Sequence, residues 1–404
     1  MTRVLMVSRC PPHPLHLGDR LIIWHLSRAL AQIGVELDLL AFADRPEDAA
    51  VDWAAPGVRA GFRTIEALPE PRRTAAAYAR RLALPRARFP RRAADAWSPA
   101  MWARVAARAA SGRYDVAHFF GGVQVYEYAG ALGGLPAIIT PYESYSLYLR
   151  RLAAREPRLS HWAQLWAARR YEAFMFAPYR AAVVVSPPDR AELLALNPAL
   201  RVEVIPNGVD LAYFQPQPAA REPAAREPAA LLFTGNFAYA PNADAARYLA
   251  QTLLPQVQAR FPDARLWLVG ADPPPEVQAL ASDRVTVTGR VDDLRPYLAR
   301  AAVFVSPLRL GAGIKNKVLE ALAMGCPLAA TPLSVDGIAV QNERDALVAP
   351  VEGGALAAAV IRLLADPALR AKLSAAGPAL VARDHSWARA AARYAALYAG
   401  ERGE

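Results

Sequence analysis

The chain has 404 residues, a net charge of +10 and two cysteines, with 54% hydrophobic and 21% charged residues. That length accommodates two globular domains. No apolar run reaches the ~18 residues of a membrane-spanning helix, and Cys10 and Cys326 are too few for a disulfide framework or a Cys-rich metal site.

Residues 3–7 read as a buried strand, too short for a secretory leader, which points to a cytoplasmic protein. Residues 8–20 form a loop with Pro11, Pro12, Pro14 and Gly18. Ile22, Leu26, Leu30 and Ile33 follow at helical spacing, Gly34 stops the helix, and residues 35–42 form a second strand. Such a crossover belongs to an open α/β sheet, whose ligands gather beyond the carboxyl ends of the strands. Gly18 lies in a loop of that kind; its plainer reading is a turn glycine.

Between residues 71 and 113 there are eleven arginines, with Asp95 inside the span and Asp115 just past it as the nearby acids. Tyr78, Phe89, Trp97 and Trp102 are interleaved. This mixture suits an anionic membrane surface touched by Arg72, Arg73, Arg80, Arg81, Arg91 and Arg92. The plain alternative is a solvated helical face, and nucleic acid is not the expected partner.

The strand at 114–120 carries His118, a general base or a satisfied core histidine. The strand at 137–140 exits into a polar loop with Glu143, Ser144 and Ser146. A helical block follows at 159–177, then short strands at 183–186 and 201–205. Residues 218–230 repeat Ala-Ala-Arg-Glu-Pro twice, which marks 215–230 as a linker after a first domain of residues 1–214. Strand–helix alternation restarts in a second domain, 231–384. The terminal segment 385–404 holds an amphipathic helix that could pack back toward the first domain.

Residues 306–325 carry the chemistry. A strand leads into a loop with Gly311 and Gly313, then into a helix set by Ile314, Val318, Ala321 and Leu322. The glycines let backbone approach a ligand, and the helix start offers free N–H groups and a positive dipole end. Arg309, Lys315 and Lys317 surround the turn, and Glu320 shares a helix face with Lys317. This set suits a ligand with a diphosphate and a diol; the alternative is a crossover helix with solvated charges. Of 47 basic residues only three are lysines, Lys315, Lys317 and Lys372. Two of them so close together suggest a need for a compact point charge. Asn316 stands where the dinucleotide fingerprint needs a small residue, and a Walker Gly-Lys-Ser/Thr is absent.

With these pieces in order, the chain resembles the family-4 glycosyltransferases of the GT-B fold over nearly its whole length. The resemblance is carried by Gly235, Pro241-Asn242, Val269-Gly270, Thr288-Gly289-Arg290-Val291 and residues 311–325. Gly18 matches the family's N-terminal glycine loop and His118 the first His of its His-x-His. The Gly-Ile-Lys-x-Lys-x-Leu-Glu-Ala motif resembles that of a sugar-transferase-like variant.

The resemblance implies an α/β protein of two Rossmann-like domains facing a central cleft. It implies retaining transfer from a nucleotide-sugar donor to a glycan or lipid-linked acceptor, without a metal or other cofactor. Gly18, His118 and Glu143 would be the catalytic residues, on the acceptor side. Gly235, Asn236, Arg290, Val291, Arg309, Gly311, Gly313, Ile314, Lys315, Lys317 and Glu320 would serve the donor, with Glu320 on the ribose and Arg290 and Val291 near the base. Four positions depart from the family: Ala312 replaces its first Glu, Asn236 and Asn242 replace its Arg and Lys, and Phe120 replaces its second His. Arg309, Lys315 and Lys317 would make up the missing positive charge. A sugar-nucleotide isomerase and a non-catalytic binding protein are the other readings.

Overall fold

Apolar runs of strand length, alternating with helices, bury themselves most fully as parallel strands covered on both faces. The computed structural model describes residues 1–15, 18–71, 74, 90–216 and 226–401. It folds as two units, Met1–Gly208 with Trp387–Glu404, and Val209–Ser386.

Unit 1 holds a seven-stranded parallel sheet. Its strands are β1 (Arg3–Ser8), β2 (Glu36–Ala43), β3 (Phe62–Pro69), β4 (Val116–Phe120), β5 (Ala137–Thr140), β6 (Ala181–Val184) and β7 (Val202–Val204). They lie in the order β3-β2-β1-β4-β5-β6-β7. The order reverses between β1 and β4, so the ligand position of such a sheet lies beyond the ends of those two strands. The helix Trp387–Ala399 belongs to this unit. Its Ala390, Ala391, Tyr394, Leu397 and Tyr398 are buried with Ile22, Leu26 and Leu30 of the helix Gly18–Gln32. A Cβ on Gly208 would lie 2.5 Å from the Trp387 amide nitrogen, so the chain leaves and re-enters the unit at one crowded point.

Edge strand β3 has no counterpart among the sequence expectations. Only Phe62 in it is fully buried, and Arg63, Thr64 and Glu66 are turned to polar partners. Of the basic stretch proposed to touch membrane, Arg72, Arg73, Arg80, Arg81, Tyr78 and Phe89 lie outside the described residues. Arg91 and Arg92 are exposed, but Arg92 is engaged by Asp95 at 3.0 Å, and Trp102 is packed in the core.

Unit 2 holds a six-stranded parallel sheet of β8 (Ala230–Thr234), β9 (Arg265–Val269), β10 (Val285–Val287), β11 (Val303–Ser306), β12 (Leu328–Ala330) and β13 (Leu347–Val348), ordered β10-β9-β8-β11-β12-β13. Here the reversal falls between β8 and β11. The sequence predicts one helix over 244–261. The structure instead has helices Ala240–Tyr248 and Leu254–Gln258 joined by a π-helical turn, Leu249–Leu253. Pro255, which has no N–H to offer the preceding turn, accounts for the interruption.

Candidate functional site

In unit 2, glycines follow the neighbouring strands β8 and β9 directly. Gly270 has φ +151°, and a Cβ there would lie 1.9 Å from the Gly235 carbonyl oxygen. A Cβ on Gly235 would meet the Lys317 Nζ at 2.7 Å and the Asn242 Nδ2 at 2.8 Å. Only glycine leaves the backbone this close to the end of the Lys317 side chain.

Lys317 lies on the helix Asn316–Ala323 that follows β11. Its Nζ donates to Asn242 Oδ1 at 2.6 Å and sits 4.4 Å from the centre of the Phe233 ring. Asn242 in turn donates through Nδ2 to the Asn236 carbonyl at 2.7 Å. Both Lys317 and Glu320 keep some surface open, yet their charged ends are poorly solvated. Desolvation holds the Lys317 ammonium below the usual lysine range, and the nearby Glu320 charge only partly restores it. The same burial pushes the Glu320 carboxyl up, against the attraction of Lys317. Among the described residues no donor lies within hydrogen-bond distance of the Glu320 carboxylate, and no carboxylate forms an ion pair with Lys317.

The other expected donor-site residues divide. Gly311 (φ +138°) and Gly313 (φ +64°) shape the loop, and Lys315 Nζ folds back to donate to the Ala312 and Gly313 carbonyls at 2.7 and 2.5 Å. Ile314 packs on the core. Arg309, expected at the phosphates, meets a carboxylate in unit 2. Its guanidinium is engaged by both oxygens of Asp244, at 3.1 and 2.8 Å, and lies 5.2 Å from the Tyr248 ring centre. It ties the loop to the helix Ala240–Tyr248. Asn236 bridges Asp272 Oδ2 at 2.9 Å and the Ala238 amide at 2.8 Å. Arg290 and Val291 follow edge strand β10; Arg290 is exposed, and Val291 rests against the core.

In unit 1, His118 is not placed for acid–base chemistry. It is fully buried, with Nδ1 2.8 Å from the Tyr398 hydroxyl and Nε2 2.8 Å from Thr140 Oγ1. Burial lowers its pKa to about 3. The folded state therefore refuses a proton that the unfolded chain accepts. Unit 1 should lose stability as pH falls from about 6.5 toward 3, by up to about 1.4 kcal/mol per pH unit from this group. Urea melts across that range should show the slope, and His118→Gln should flatten it. An unchanged slope in the variant would show that His118 is not its source.

Gly18 begins the helix Gly18–Gln32 with open space where a Cβ would stand. Glu143 lies half-buried in the loop after β5. Two neighbours escaped the sequence reading. Arg9, directly after β1, pairs with Asp19 at 3.2 Å and keeps a buried Nε without a partner among the described residues. Tyr142, after β5, has φ +66° and a buried hydroxyl likewise unpartnered. The available signal was position alone, at the ends of β1 and β5.

Residues 21–213 match the family model described as Glycosyltransferase Family 4, and residues 228–366 match that described as Glycosyl transferases group 1. Both matched models thus describe glycosyltransferases, one over each part of the chain. Over 229 residues the chain is 31% identical to the GDP-mannose-dependent alpha-(1-6)-phosphatidylinositol monomannoside mannosyltransferase of Mycobacterium tuberculosis, covering 51% of this chain and 58% of that one. Over 200 residues it is 31% identical to the phosphatidyl-myo-inositol mannosyltransferase of Mycolicibacterium smegmatis, covering 48% and 50%. The chain spans about half the length of the curated relatives it matches. Sucrose-phosphate synthase from Thermosynechococcus elongatus shares the two-sheet GT-B fold, with a TM-score of 0.74, 23% identity and 99% of each chain covered.

Proposed function

We propose that this protein transfers a sugar from a nucleoside-diphosphate sugar, held by unit 2, to a glycan or lipid-linked acceptor bound through unit 1. Configuration is retained, and no metal ion or other cofactor takes part. The observation that carries the reading is the poorly solvated pair at the β8/β11 switch point. Among the described residues Lys317 forms no ion pair beyond its through-space attraction to Glu320, and Glu320 accepts no hydrogen bond at its carboxylate. A diphosphate supplies an ion pair to the first and a ribose diol hydrogen bonds to the second. In the reaction the bond from the anomeric carbon to the diphosphate breaks, and the nucleoside diphosphate leaves with the electron pair. An acceptor hydroxyl bonds to the same face of the sugar, and its proton goes to the departing phosphate oxygen.

The names of the relatives, with GDP-mannose and phosphatidylinositol in them, support a nucleotide-sugar donor and a lipid-linked acceptor. The reading places the protein in glycan or glycolipid assembly at the cytoplasmic face of a membrane. One observation favours a non-catalytic nucleotide-sugar binder instead: Asn236 and Asn242 are neutral, and Arg309 is committed to Asp244. Incubation with radiolabelled nucleotide sugars and a lipid extract decides. Label in lipid or glycan supports transfer. Binding without product supports the second reading, and a rearranged nucleotide sugar would mean an isomerase.

Glu320→Gln should weaken nucleotide binding by about 1 kcal/mol, because a neutral acceptor holds a hydroxyl less strongly than a carboxylate. It should leave the fold at least as stable, since it removes a desolvated charge. Thermal melts with and without a nucleoside diphosphate test both parts. A variant that melts earlier without ligand would make Glu320 a structural residue.

A further inference from the structure

The helix Leu159–Met175 in unit 1 buries Leu165, Ala168, Tyr171, Glu172 and Met175. Leu159, Trp162 and Trp166, spaced by three and four residues, form a stripe on the opposite side. Their exposures are 89%, 50% and 61%. The helix Tyr145–Arg155 packs beside it and adds exposed Tyr145.

The charge around this ridge has one sign. From residue 147 to 173 there are six arginines and two glutamates. Glu172 is turned inward, accepting from the Tyr145 amide at 2.7 Å and from Ser144 Oγ at 3.1 Å. Glu156 is taken by Arg158 at 3.3 Å. Arg155, Arg158, Arg169 and Arg170 are exposed, and the Arg170 guanidinium lies 4.9 Å from the Trp166 ring centre. Among the described residues no helix is long and apolar enough to cross a membrane.

We propose that this helix pair docks the protein on an anionic phospholipid surface. Leu159, Trp162 and Trp166 enter the headgroup layer, and the surrounding arginines bind lipid phosphates. Indole rings favour that layer, with an apolar body and a polar N–H. Guanidinium matches phosphate geometry, and a polybasic surface is drawn to an anionic leaflet. A second copy of this chain fits poorly, because it would bring the same positive rim against itself. The inference rests on the lipid-linked acceptor reading for its purpose, and it moves the membrane contact from residues 71–113 to residues 145–175.

The test is flotation with phosphatidylcholine vesicles, with and without phosphatidylglycerol, at low and high salt, using the full chain without donor or acceptor. Wild type should float with the anionic vesicles at low salt and much less at high salt. The double variant Trp162→Ser/Trp166→Ser should lose at least about tenfold in partitioning, since each ring withdrawn from water is worth more than a decade. Arg169→Gln/Arg170→Gln should lose the preference for phosphatidylglycerol. Wild type that stays unbound overturns the proposal, as does a tryptophan variant that floats as well as wild type. A wild-type dimer in light scattering that the tryptophan variant abolishes would assign the ridge to self-association and also overturn it. No sugar transfer is read here, so a negative result leaves the transferase reading intact. Failed transfer in the lipid-extract assay, conversely, leaves the docking intact.

Discussion

Lys317→Met is expected to lower nucleoside-diphosphate affinity by about 1.5–3 kcal/mol, the usual value of a hydrogen bond to a charged group. The fold should tolerate the change. Methionine fills similar volume against the Phe233 ring, and a desolvated ammonium is removed. Arg309→Ala should cost less affinity, because its guanidinium is already occupied by Asp244, and should instead lower thermal stability. Arg290→Ala, at an exposed position, should have the smallest effect on both. Calorimetric titration of the three variants with nucleoside diphosphates gives the ranking. If Arg309→Ala is the weakest binder, the phosphate lies nearer that loop than Lys317.

Gly270→Ala should destabilise unit 2 by about 2–6 kcal/mol and abolish nucleotide binding. The new Cβ would sit 1.9 Å from the Gly235 carbonyl oxygen, a backbone atom that cannot swing aside, at a φ of +151°. Overpacking of this sort costs about 1–3 kcal/mol and backbone strain adds about 1–3 more. Gly289→Ala is the control. Its φ is +70°, but no atom lies within 4 Å of the added carbon, so only the left-handed penalty of about 1–2 kcal/mol applies. Urea melts of the two variants compare these costs directly. Equal stability would mean that the β8 and β9 exits can part without loss, and the close approach would no longer explain the glycine.

The parallel strands could be read because strands buried on both faces are nearly unbroken apolar runs, as residues 137–140 and 265–269 are. The strand–loop–helix order of 306–325 was legible for the same reason, with the glycines marking the loop. What side chains do with their charge was not. Arg309 and Lys317 read alike as cations near a turn, yet one meets Asp244, 65 residues away, and the other donates to the neutral amide of Asn242. For His118 both readings, general base and core histidine, stayed open because its partner Tyr398 stands 280 residues further along the chain. β3 was missed because an edge strand with one polar face leaves little pattern. Trp162 and Trp166 read as part of an ordinary helical block, because the inward face of that helix satisfies the same period.

The helix Trp387–Ala399 is the last described element to be synthesised, yet it completes the unit that starts at Met1. The ribosome must therefore deliver all of unit 2 before the open flank of the helix Gly18–Gln32 can be covered. Until then Leu26, Leu30 and His118 lack the cover that Tyr394 and Tyr398 give them. A ribosome that stalls or terminates in unit 2 would leave unit 1 in that uncovered state however well unit 2 had folded. Burial of that surface is thus tied to synthesis of the whole of unit 2, because the helix that covers it follows unit 2 in the chain.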